Sequence, residues 1–369
     1  MLVTRLRLTD FRSYAGADVR LGPGLNVAHG PNAAGKTNLL EALYMGATGR
    51  SCRTSNEREV VRFGAPVARV EVEVAADDGP HRLTVGLAPG EAKRVQADGV
   101  TVDGHGAAAV RPPVAVFLPE RLELVKGAPA LRRSHLDALI AALWPARGET
   151  RRSYSQALTQ RNALLLRIRA GRASAGSLPA WDAELARHGV ALRDHRAEVV
   201  SLLREPFAAR ADQLGLTGAV QLTYRPRTEA ATAQELAVEL AARLDSDLER
   251  GFTGHGPHRD DLSLRRERRD LRTYGSQGEH RLALLALLLA ERDVLAERGG
   301  VTPLLLLDDV MSELDSGRRS RLAEELSGGT GGQSVVTATD LDHVPGSGRA
   351  GVTRLAVGDG TVLQEAVAA

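Results

Sequence analysis

The sequence predicts an α/β fold that is interrupted by a helical insertion, and three observations support this prediction. Apolar patterns typical of β-strands occupy the first hundred residues. Between residues 126 and 248 the apolar residues instead recur at helical spacing, and strand patterns return after residue 251. The predicted domain boundaries are therefore 1–125 and 252–369 for the two parts of the α/β domain and 126–251 for the insertion.

Each predicted element has its own pattern. Apolar and polar side chains alternate, as in half-buried strands, at residues 3–8, 67–74 and 81–87. A short apolar strand at 25–28 leads into a helix that begins at Lys36. A loop is expected at 171–180, between two long helices of the insertion. The remaining predictions are a helix over 277–298, a strand at 302–307, a helix near 318–326 and a strand at 334–339.

Composition narrows the class of protein. The chain has 369 residues, of which 43% are hydrophobic and 25% charged, as in a soluble protein of two or three domains. A single cysteine, Cys52, excludes an internal disulfide and suits a reducing cytoplasm. The N-terminus has no signal-peptide pattern and the longest apolar run, 282–290, is nine residues. We therefore expect a cytoplasmic protein without a membrane partner.

The stretch HGPNAAGKTNLLEALY, at residues 29–44, contains a phosphate-binding pattern. Gly30, Gly35, Lys36 and Thr37 match the P-loop spacing between a strand and a helix. Glycines let backbone N–H groups surround a phosphate, the lysine reaches the β- and γ-phosphates, and the threonine hydroxyl binds Mg²⁺. Only three of the 48 basic residues are lysines, so a lysine here is a specific choice. The alternative, a glycine-rich turn before a helix, is less favoured because the whole pattern is present.

Two carboxylates follow the apolar run at 303–307. Ligands bind at the carboxyl ends of parallel strands, so Asp308 is predicted to hold Mg²⁺ and Asp309 to act as general base toward water. A buried strand that ends in an acidic turn is the alternative. Asp308 lies 272 residues after Lys36, an interval that the helical insertion explains.

A second phosphate-binding surface is predicted at Ser276 to Glu279. Serine followed three residues later by glutamate is a capping box, which is the purely structural interpretation. Gly275, Ser276 and Gly278 also leave N–H groups exposed at the positive end of a long helix. Because one P-loop already binds one triphosphate, a second such surface suggests that each chain completes the site of another.

Basic residues are concentrated in the insertion. Residues 126–172 contain ten basic residues and two acidic ones, Asp137 and Glu149. Such a segment is able to bind phosphates, although arginines on long helices are also often only solvated. Aromatic residues are 3% of the chain, which favours contact with the DNA backbone over base stacking. The candidate DNA contacts are Arg132, Arg133, Arg151 and Arg152.

Several motifs together resemble the ABC-type ATPases of the SMC class and, within it, the RecF family. The most specific are GRSCRT at 49–54, GPHRDDL at 256–262 and SQGE at 276–279, accompanied by LLLLDDVMSELD at 304–315. The resemblance implies an ABC-type P-loop ATPase head with a helical insertion domain. It also implies an ATP-dependent homodimer that binds duplex DNA and single-strand/duplex junctions. By this resemblance, such a dimer would work with RecO and RecR to load RecA at gaps in DNA repair, replication and the SOS response.

The same resemblance assigns roles to residues of this chain. Walker A would comprise Gly30, Pro31, Asn32, Ala33, Ala34, Gly35, Lys36, Thr37 and Asn38. Walker B would be Asp308 and Asp309, and the D-loop would include Ser312 and Asp315. The signature presented in trans to the partner's γ-phosphate would be Ser276, Gln277, Gly278 and Glu279. Arg12 stands where related heads approach the nucleotide base.

The chain also departs from the family's pattern. Pro119-Glu120 stands where a Q-loop glutamine is expected, and Thr337 to Thr339 where a switch histidine is expected. Asp309 replaces the glutamate that many relatives use as catalytic base, and aspartate is one methylene shorter. We therefore expect a weak, DNA-stimulated ATPase that acts as a slow switch.

Two other classes of protein remain as alternatives. A transporter's nucleotide-binding subunit needs a membrane partner and is not expected to carry a 126-residue helical insertion. An SMC-like structural tether needs sustained heptads over a long arm. Pro145, Pro206 and the loop at 171–180 predict short helices only. ATP-stimulated binding to duplex DNA, without any membrane fraction, would distinguish a RecF-like ATPase from both alternatives.

Overall fold

The secondary structure has strand-rich ends and a mainly helical middle, as the apolar patterns predict. A computed structural model describes residues 1–102, 110–328 and 332–365, except for the side chains of residues 119, 120 and 313. The strands are β1 (Leu2–Phe11), β2 (Tyr14–Arg20), β3 (Leu25–His29), β4 (Ala68–Ala76), β5 (Gly79–Leu87), β6 (Arg94–Ala97), β7 (Val100–Thr101), β8 (Val114–Phe117), β9 (Val220–Arg225), β10 (Asp261–Arg266), β11 (Arg269–Asp270), β12 (Leu304–Leu307), β13 (Ser334–Ala338), β14 (Thr353–Gly358) and β15 (Thr361–Glu365).

The helices have the following bounds. The α-helices are α1 (Lys36–Thr48), α2 (Glu123–Lys126), α3 (Pro129–Leu143), α4 (Gly148–Arg169), α5 (Leu178–Gln213), α6 (Ala233–Ala241), α7 (Leu244–Arg250), α8 (Leu271–Tyr274), α9 (Gln277–Gly299) and α10 (Ser316–Ser327). Short 3₁₀ helices lie at Glu57–Val60, Pro119–Leu122, Pro145–Arg147, Ala175–Ser177, Pro257–Arg259, Val310–Glu313 and Leu341–His343. The strands and helices predicted outside the insertion are present, with limits that differ by a few residues. In the described part of the chain, no helix is both long and apolar enough to cross a membrane.

The first of two compact units contains two six-stranded sheets. It comprises Met1–Arg121, Gln213–Gly215 and Arg292–Ala369. One sheet is antiparallel, in the order β2-β1-β4-β5-β6-β7. The other has the order β15-β14-β3-β13-β12-β8 and is parallel except for β15. Leu39, Leu40 and Leu43 of α1 belong to one buried cluster with residues from both sheets, so α1 is part of the core of this unit.

The parallel sheet determines where the site lies. β3 is buried along most of its length and pairs with β13 on one side and β14 on the other. The loop between β3 and α1 therefore emerges at the carboxyl edge of this sheet. Asp308 directly follows β12, which pairs with β13 in parallel, and so it lies at the same edge.

The second unit comprises Leu122–Asp212 and Leu216–Glu291. It contains α2 to α8, most of α9 and a small sheet in the order β11-β10-β9. The sequence predicts only helices between 126 and 248, so β9 is a strand that it missed. Because β10 pairs with β9 over Asp261–Arg266, this unit continues past residue 251, where the predicted insertion ends.

Helix α5 corrects a further expectation. The helix runs without interruption for 36 residues through Pro206, which the sequence analysis takes as a break. An internal proline costs about 3 kcal/mol because it removes a hydrogen bond and clashes with the preceding turn. Leu203 and Phe207 are completely buried on either side of it, and their packing offsets this cost. Pro206 therefore does not shorten this helix and is no evidence against an SMC-like tether.

Candidate nucleotide-binding site

The two P-loop glycines occupy positions that no other residue fits. Gly30 has φ 153°, and a Cβ there would lie 2.1 Å from the carbonyl oxygen of Val357. Gly35 has φ 107°, and a Cβ there would lie 2.9 Å from Oγ of Ser13. Helix α1 begins after Gly35 without a side-chain cap and with no acidic residue in its first turn. Its N-terminal N–H groups are thus open to an anion.

Lys36 lies across this loop. Its Nζ donates hydrogen bonds to the carbonyl oxygens of Gly30 and Pro31, at 2.7 and 2.9 Å. Burial lowers the pKa of the ammonium, while the charges of Asp309 and Asp308 oppose this shift. The lysine is therefore held within the loop and close enough to both carboxylates to interact with them electrostatically.

Two threonines donate hydrogen bonds to the carboxylate of Asp308. Oγ1 of Thr37 donates to one carboxylate oxygen at 2.8 Å, and Oγ1 of Thr337 donates to the other at 2.7 Å. Asp308 is buried. A hydroxyl and a carboxylate oxygen are hard ligands of the kind that Mg²⁺ prefers, so Thr37 and Asp308 fit the ion that the P-loop implies. Thr37 and Asp308, each predicted to hold Mg²⁺, are thus hydrogen-bonded to each other, and their role as Mg²⁺ ligands stays a prediction.

Asp309 has a different environment. Its backbone is left-handed, with φ 49°, and its N–H donates to Oγ1 of Thr337 at 2.9 Å. The residue is half-buried, and its carboxylate has no hydrogen-bond partner among the described residues. A carboxylate with free lone pairs is able to accept a proton from water. Thr337 thus binds the carboxylate of Asp308 and the backbone of Asp309, a role that was not predicted, although a threonine in a fully buried strand is a visible signal.

Glu41 is the second residue that the sequence analysis missed. It lies on α1, is completely buried and accepts hydrogen bonds from Arg12, Ser51 and Arg53. Burial by itself would raise the pKa of this carboxyl, but the hydrogen bonds and charges of these partners lower it overall. A lone carboxylate among the apolar residues of α1 was the available signal.

Arg12 is held firmly beside α1. Its guanidinium donates two bonds to Glu41 and a third to the carbonyl oxygen of Glu59 at 2.8 Å. Asn38, at the start of α1, donates to Oγ of Ser13 at 3.0 Å. The turn that carries Arg12 is thereby attached to the P-loop helix. Contact between Arg12 and a nucleotide base stays a prediction.

The signature segment, in the second unit, forms the capping box that its sequence predicts. The N–H of Ser276 donates to Glu279 at 2.7 Å, and the N–H of Glu279 donates to Oγ of Ser276 at 3.3 Å. Arg266 forms an ion pair with Glu279. Ser276, Gln277 and Gly278 are exposed. The geometry thus satisfies the cap and leaves the surface of the segment accessible.

The D-loop residues lie between Walker B and α10. Oγ of Ser312 donates to the carbonyl oxygen of Asp309 at 2.9 Å. Asp315 caps α10 by accepting the N–H of Arg318 at 2.9 Å, and this bond is the main reason why its pKa is lowered. The side chains of Pro119 and Glu120, at the expected Q-loop position, lie outside the described part of the chain.

The structure separates the four arginines predicted to contact DNA. Arg132 is only 2% exposed and donates to both oxygens of Asp261, at 2.8 and 3.1 Å. Its expected contact with DNA is not supported, because the guanidinium is buried and bound to Asp261. Arg133 is half-buried, whereas Arg151 and Arg152 are exposed. Arg161, another basic residue of this segment, is also fully buried, between Asp182 and Asp247.

The P-loop at the edge of a parallel sheet, with Thr37 bound to Asp308, defines a P-loop nucleotide-binding head of the ABC-type ATPase class. A family profile described as AAA domain matches residues 5–98. A solved Smc head structure is similar with a TM-score of 0.60 at 14% identity, covering 100% of this chain and 99% of that one, which shows the fold alone.

Full-length relatives specify the family. The DNA replication and repair protein RecF of Streptomyces avermitilis is 39% identical over 98% of this chain and 99% of its own. That of Herpetosiphon aurantiacus is 36% identical over 98% and 100%. A solved structure of the recombination mediator protein RecF-ATP in the RecFOR pathway has a TM-score of 0.87 at 28% identity, covering 99% and 98%. The chain belongs to the RecF family of DNA replication and repair proteins.

Proposed function

We propose that the protein is an ATP-dependent recombination mediator that binds DNA at single-strand/duplex junctions and gaps and helps to load the RecA recombinase. ATP with Mg²⁺ is the proposed cofactor, and an ATP-bound homodimer is the proposed DNA-binding form. RecR is the proposed direct partner, with RecO and RecA in the same pathway. Relatives named as replication and repair proteins support this assignment.

The observation that carries the proposal is the hydrogen bond between Thr37 and Asp308 at 2.8 Å. It joins the P-loop to the end of β12, so both proposed Mg²⁺ ligands already lie side by side. Lys36 supplies a positive charge beside the α1 N-terminus, where the β- and γ-phosphates of ATP would lie. A solved relative described as RecF-ATP supports ATP as the nucleotide.

Hydrolysis is proposed to be slow and to act as a switch. Asp309 accepts a proton from the attacking water, and its carboxylate has no competing hydrogen bond among the described residues. Mg²⁺, when bound, neutralises charge on the phosphates. Thr337 orients Asp308 and Asp309 without itself being able to act as a base at neutral pH. Aspartate reaches less far than glutamate, which is consistent with weak turnover.

Dimerisation is proposed to place the exposed Ser276 segment of one protomer against the triphosphate bound by its partner. The N-terminus of α9 contributes N–H groups and partial positive charge for this role. Glu279 keeps the segment in shape through its bonds to Ser276 and its ion pair with Arg266. A transporter subunit remains the alternative function, and the large second unit disfavours it.

Sedimentation of the purified protein tests the proposal. We expect a monomer without nucleotide, a dimer with ATP and Mg²⁺, and co-sedimentation of the dimer with gapped or duplex DNA. Vesicles serve as the comparison for the transporter alternative. A protein that stays monomeric with ATP and binds no DNA would contradict the proposal.

A further inference from the structure

The second unit contains a pocket of about 160 Å³ that plays no part in the nucleotide site. Usual small-molecule pockets enclose about 300–1,000 Å³, so this one suits a small group rather than a whole nucleotide. Its polar lining consists mainly of arginine and hydroxyl side chains. This polar lining includes Arg133, Ser134, Asp137, Arg151, Ser155 and Arg196.

Positive charge exceeds negative charge in this lining. Arg196 is 3% exposed and occupies both oxygens of Asp137, at 2.7 and 2.9 Å. Arg151 lies 3.3 Å from the same carboxylate, so two guanidinium groups share one negative charge. Asp260 lies 3.6 Å from Arg196, and Asp261, whose charge also acts on Arg133, is paired with Arg132. With Arg132 included, four arginines therefore stand beside three carboxylates.

Among the three arginines of the pocket lining, Arg133 alone forms no ion pair with a carboxylate of the described residues, whereas Arg151 and Arg196 both pair with Asp137. One of its N–H groups donates to the carbonyl oxygen of Asp260 at 2.7 Å, and within the described ranges its other N–H groups have no hydrogen-bond partner. Burial and the nearby charge of Arg196 lower its pKa overall, although the charges of Asp261, Asp260 and Asp137 oppose this shift. A half-buried guanidinium with unused donors is stabilised by an incoming anion.

Tyr154 and His258 form one wall of the pocket, and His258 belongs to the GPHRDDL motif. Nε2 of His258 lies 2.8 Å from the carbonyl oxygen of Thr253, and Nδ1 lies 2.7 Å from the hydroxyl of Tyr154. The carbonyl only accepts, so Nε2 carries the proton and Tyr154 donates to Nδ1. Burial lowers the pKa of His258 to about 4, so this wall is neutral. The histidine fixes the shape of the pocket and leaves its charge to the arginines.

We propose that this pocket binds a phosphate group of DNA, with Arg133 and Arg151 as charged donors and Ser134 and Ser155 as hydroxyl donors. The inference rests on the proposed DNA-binding function and assigns one phosphate contact to a defined place. Guanidinium forks and hydroxyls match the oxygens of a phosphate. A terminal 5′-phosphate and a backbone phosphate share this chemistry.

Salt-dependent DNA binding by the full-length protein with ATP tests the inference. Arg151→Gln and Arg133→Gln are compared with Arg187→Gln, an exposed arginine of α5 that pairs with Glu184 at 2.6 Å and does not line the pocket. Each pocket variant is expected to lower DNA affinity about tenfold and to reduce the salt slope by about one. The control, Arg187→Gln, also removes one positive charge. Its DNA affinity and salt slope are expected to change less than those of the pocket variants. The side chain of Arg151 is 57% exposed, so its variant should fold even if Arg133→Gln does not.

The DNA used in the assay identifies the source of the phosphate. Gapped DNA with a 5′-phosphate is compared with the same DNA carrying a 5′-hydroxyl. A preference for the 5′-phosphate that Arg151→Gln removes assigns the pocket to a strand end, and equal loss on both assigns it to the backbone. If the wild type binds DNA and Arg151→Gln behaves like Arg187→Gln, the pocket inference is overturned and the proposed function stands. If the wild type binds no DNA, the proposed function itself fails, and this inference with it.

Discussion

The guanidinium of Arg12 donates hydrogen bonds to both oxygens of the Glu41 carboxylate, at 2.9 and 2.8 Å, and Glu41 is completely buried. Arg12→Met would leave this carboxylate without its main partner. We expect the free energy of unfolding to fall by about 3 kcal/mol or more, because a buried charge that loses its partner is strongly destabilising. Urea denaturation followed by circular dichroism measures the change.

The matched control is Arg62→Met. Arg62 pairs with Asp10 at 2.7 Å, but its side chain is 44% exposed. Exposed ion pairs contribute about 1 kcal/mol or less, so this variant should stay near the wild type. Equal losses in the two variants would mean that the burial of Glu41 has no special effect.

Lys36→Arg keeps the positive charge but replaces a compact ammonium with a planar fork. The Nζ of Lys36 fits between the carbonyl oxygens of Gly30 and Pro31, where a guanidinium is too large. We expect ATP affinity to fall about tenfold or more, as measured by titration calorimetry. Lys126→Arg is the control, because Lys126 is exposed and pairs only loosely with Glu123 at 3.5 Å. Unchanged ATP affinity in Lys36→Arg would remove Lys36 from the phosphate site.

Asp309→Asn removes a base and preserves size. Asparagine tolerates the left-handed backbone of this position, so folding should be retained. ATP affinity should stay the same while single-turnover hydrolysis falls about 10²- to 10⁴-fold, and the ATP-bound dimer should persist longer. Hydrolysis at the wild-type rate would transfer the role of base to another group.

Ser276→Arg tests whether the signature acts on a partner's triphosphate. A bulky cation at this exposed helix start should block close approach of a second protomer. ATP binding by the monomer should survive, while dimerisation with ATP and the gain in DNA affinity should be lost. Ser174→Arg is the control, since Ser174 is also an exposed cap, of the 3₁₀ helix Ala175–Ser177. Normal ATP-induced dimers of Ser276→Arg in light scattering would leave Ser276 as a helix cap only.

Because His258 is buried, the folded protein is expected to lose stability in acid. Burial lowers its folded-state pKa to about 4, below the ordinary 6.5, so between these values the unfolded chain binds a proton that the folded chain does not. The stabilisation is complete above pH 6.5 and is lost as the pH falls toward 4. His258→Gln should flatten this part of the stability profile in urea titrations between pH 7 and 4.5. Parallel profiles for the two proteins would show that another group titrates.

The P-loop and the aspartates are visible in the sequence because their proposed chemistry depends on local patterns: glycine spacing, a strand end and a helix start. The structure brings these residues together. The sequence does not predict that Glu41 binds several partners, because one of them, Arg12, is 29 residues away and contacts Glu41 only in the folded chain. Arg132 is misread for the same reason, since its partner Asp261 lies 129 residues away. Pro206 fails as a helix break because buried neighbours outweigh its local preference.

The pairing of β3 has a consequence for synthesis on the ribosome. Residues 25–29 emerge before both of their neighbouring strands, which come from residues 334–338 and 353–358. A nascent chain that has reached residue 300 therefore carries an apolar strand with both edges unpaired, an opportunity for chaperone binding or aggregation. The nucleotide loop takes its shape only after these two strands have been synthesised, so products truncated before residue 334 should be unable to compete for ATP with chains that contain both strands.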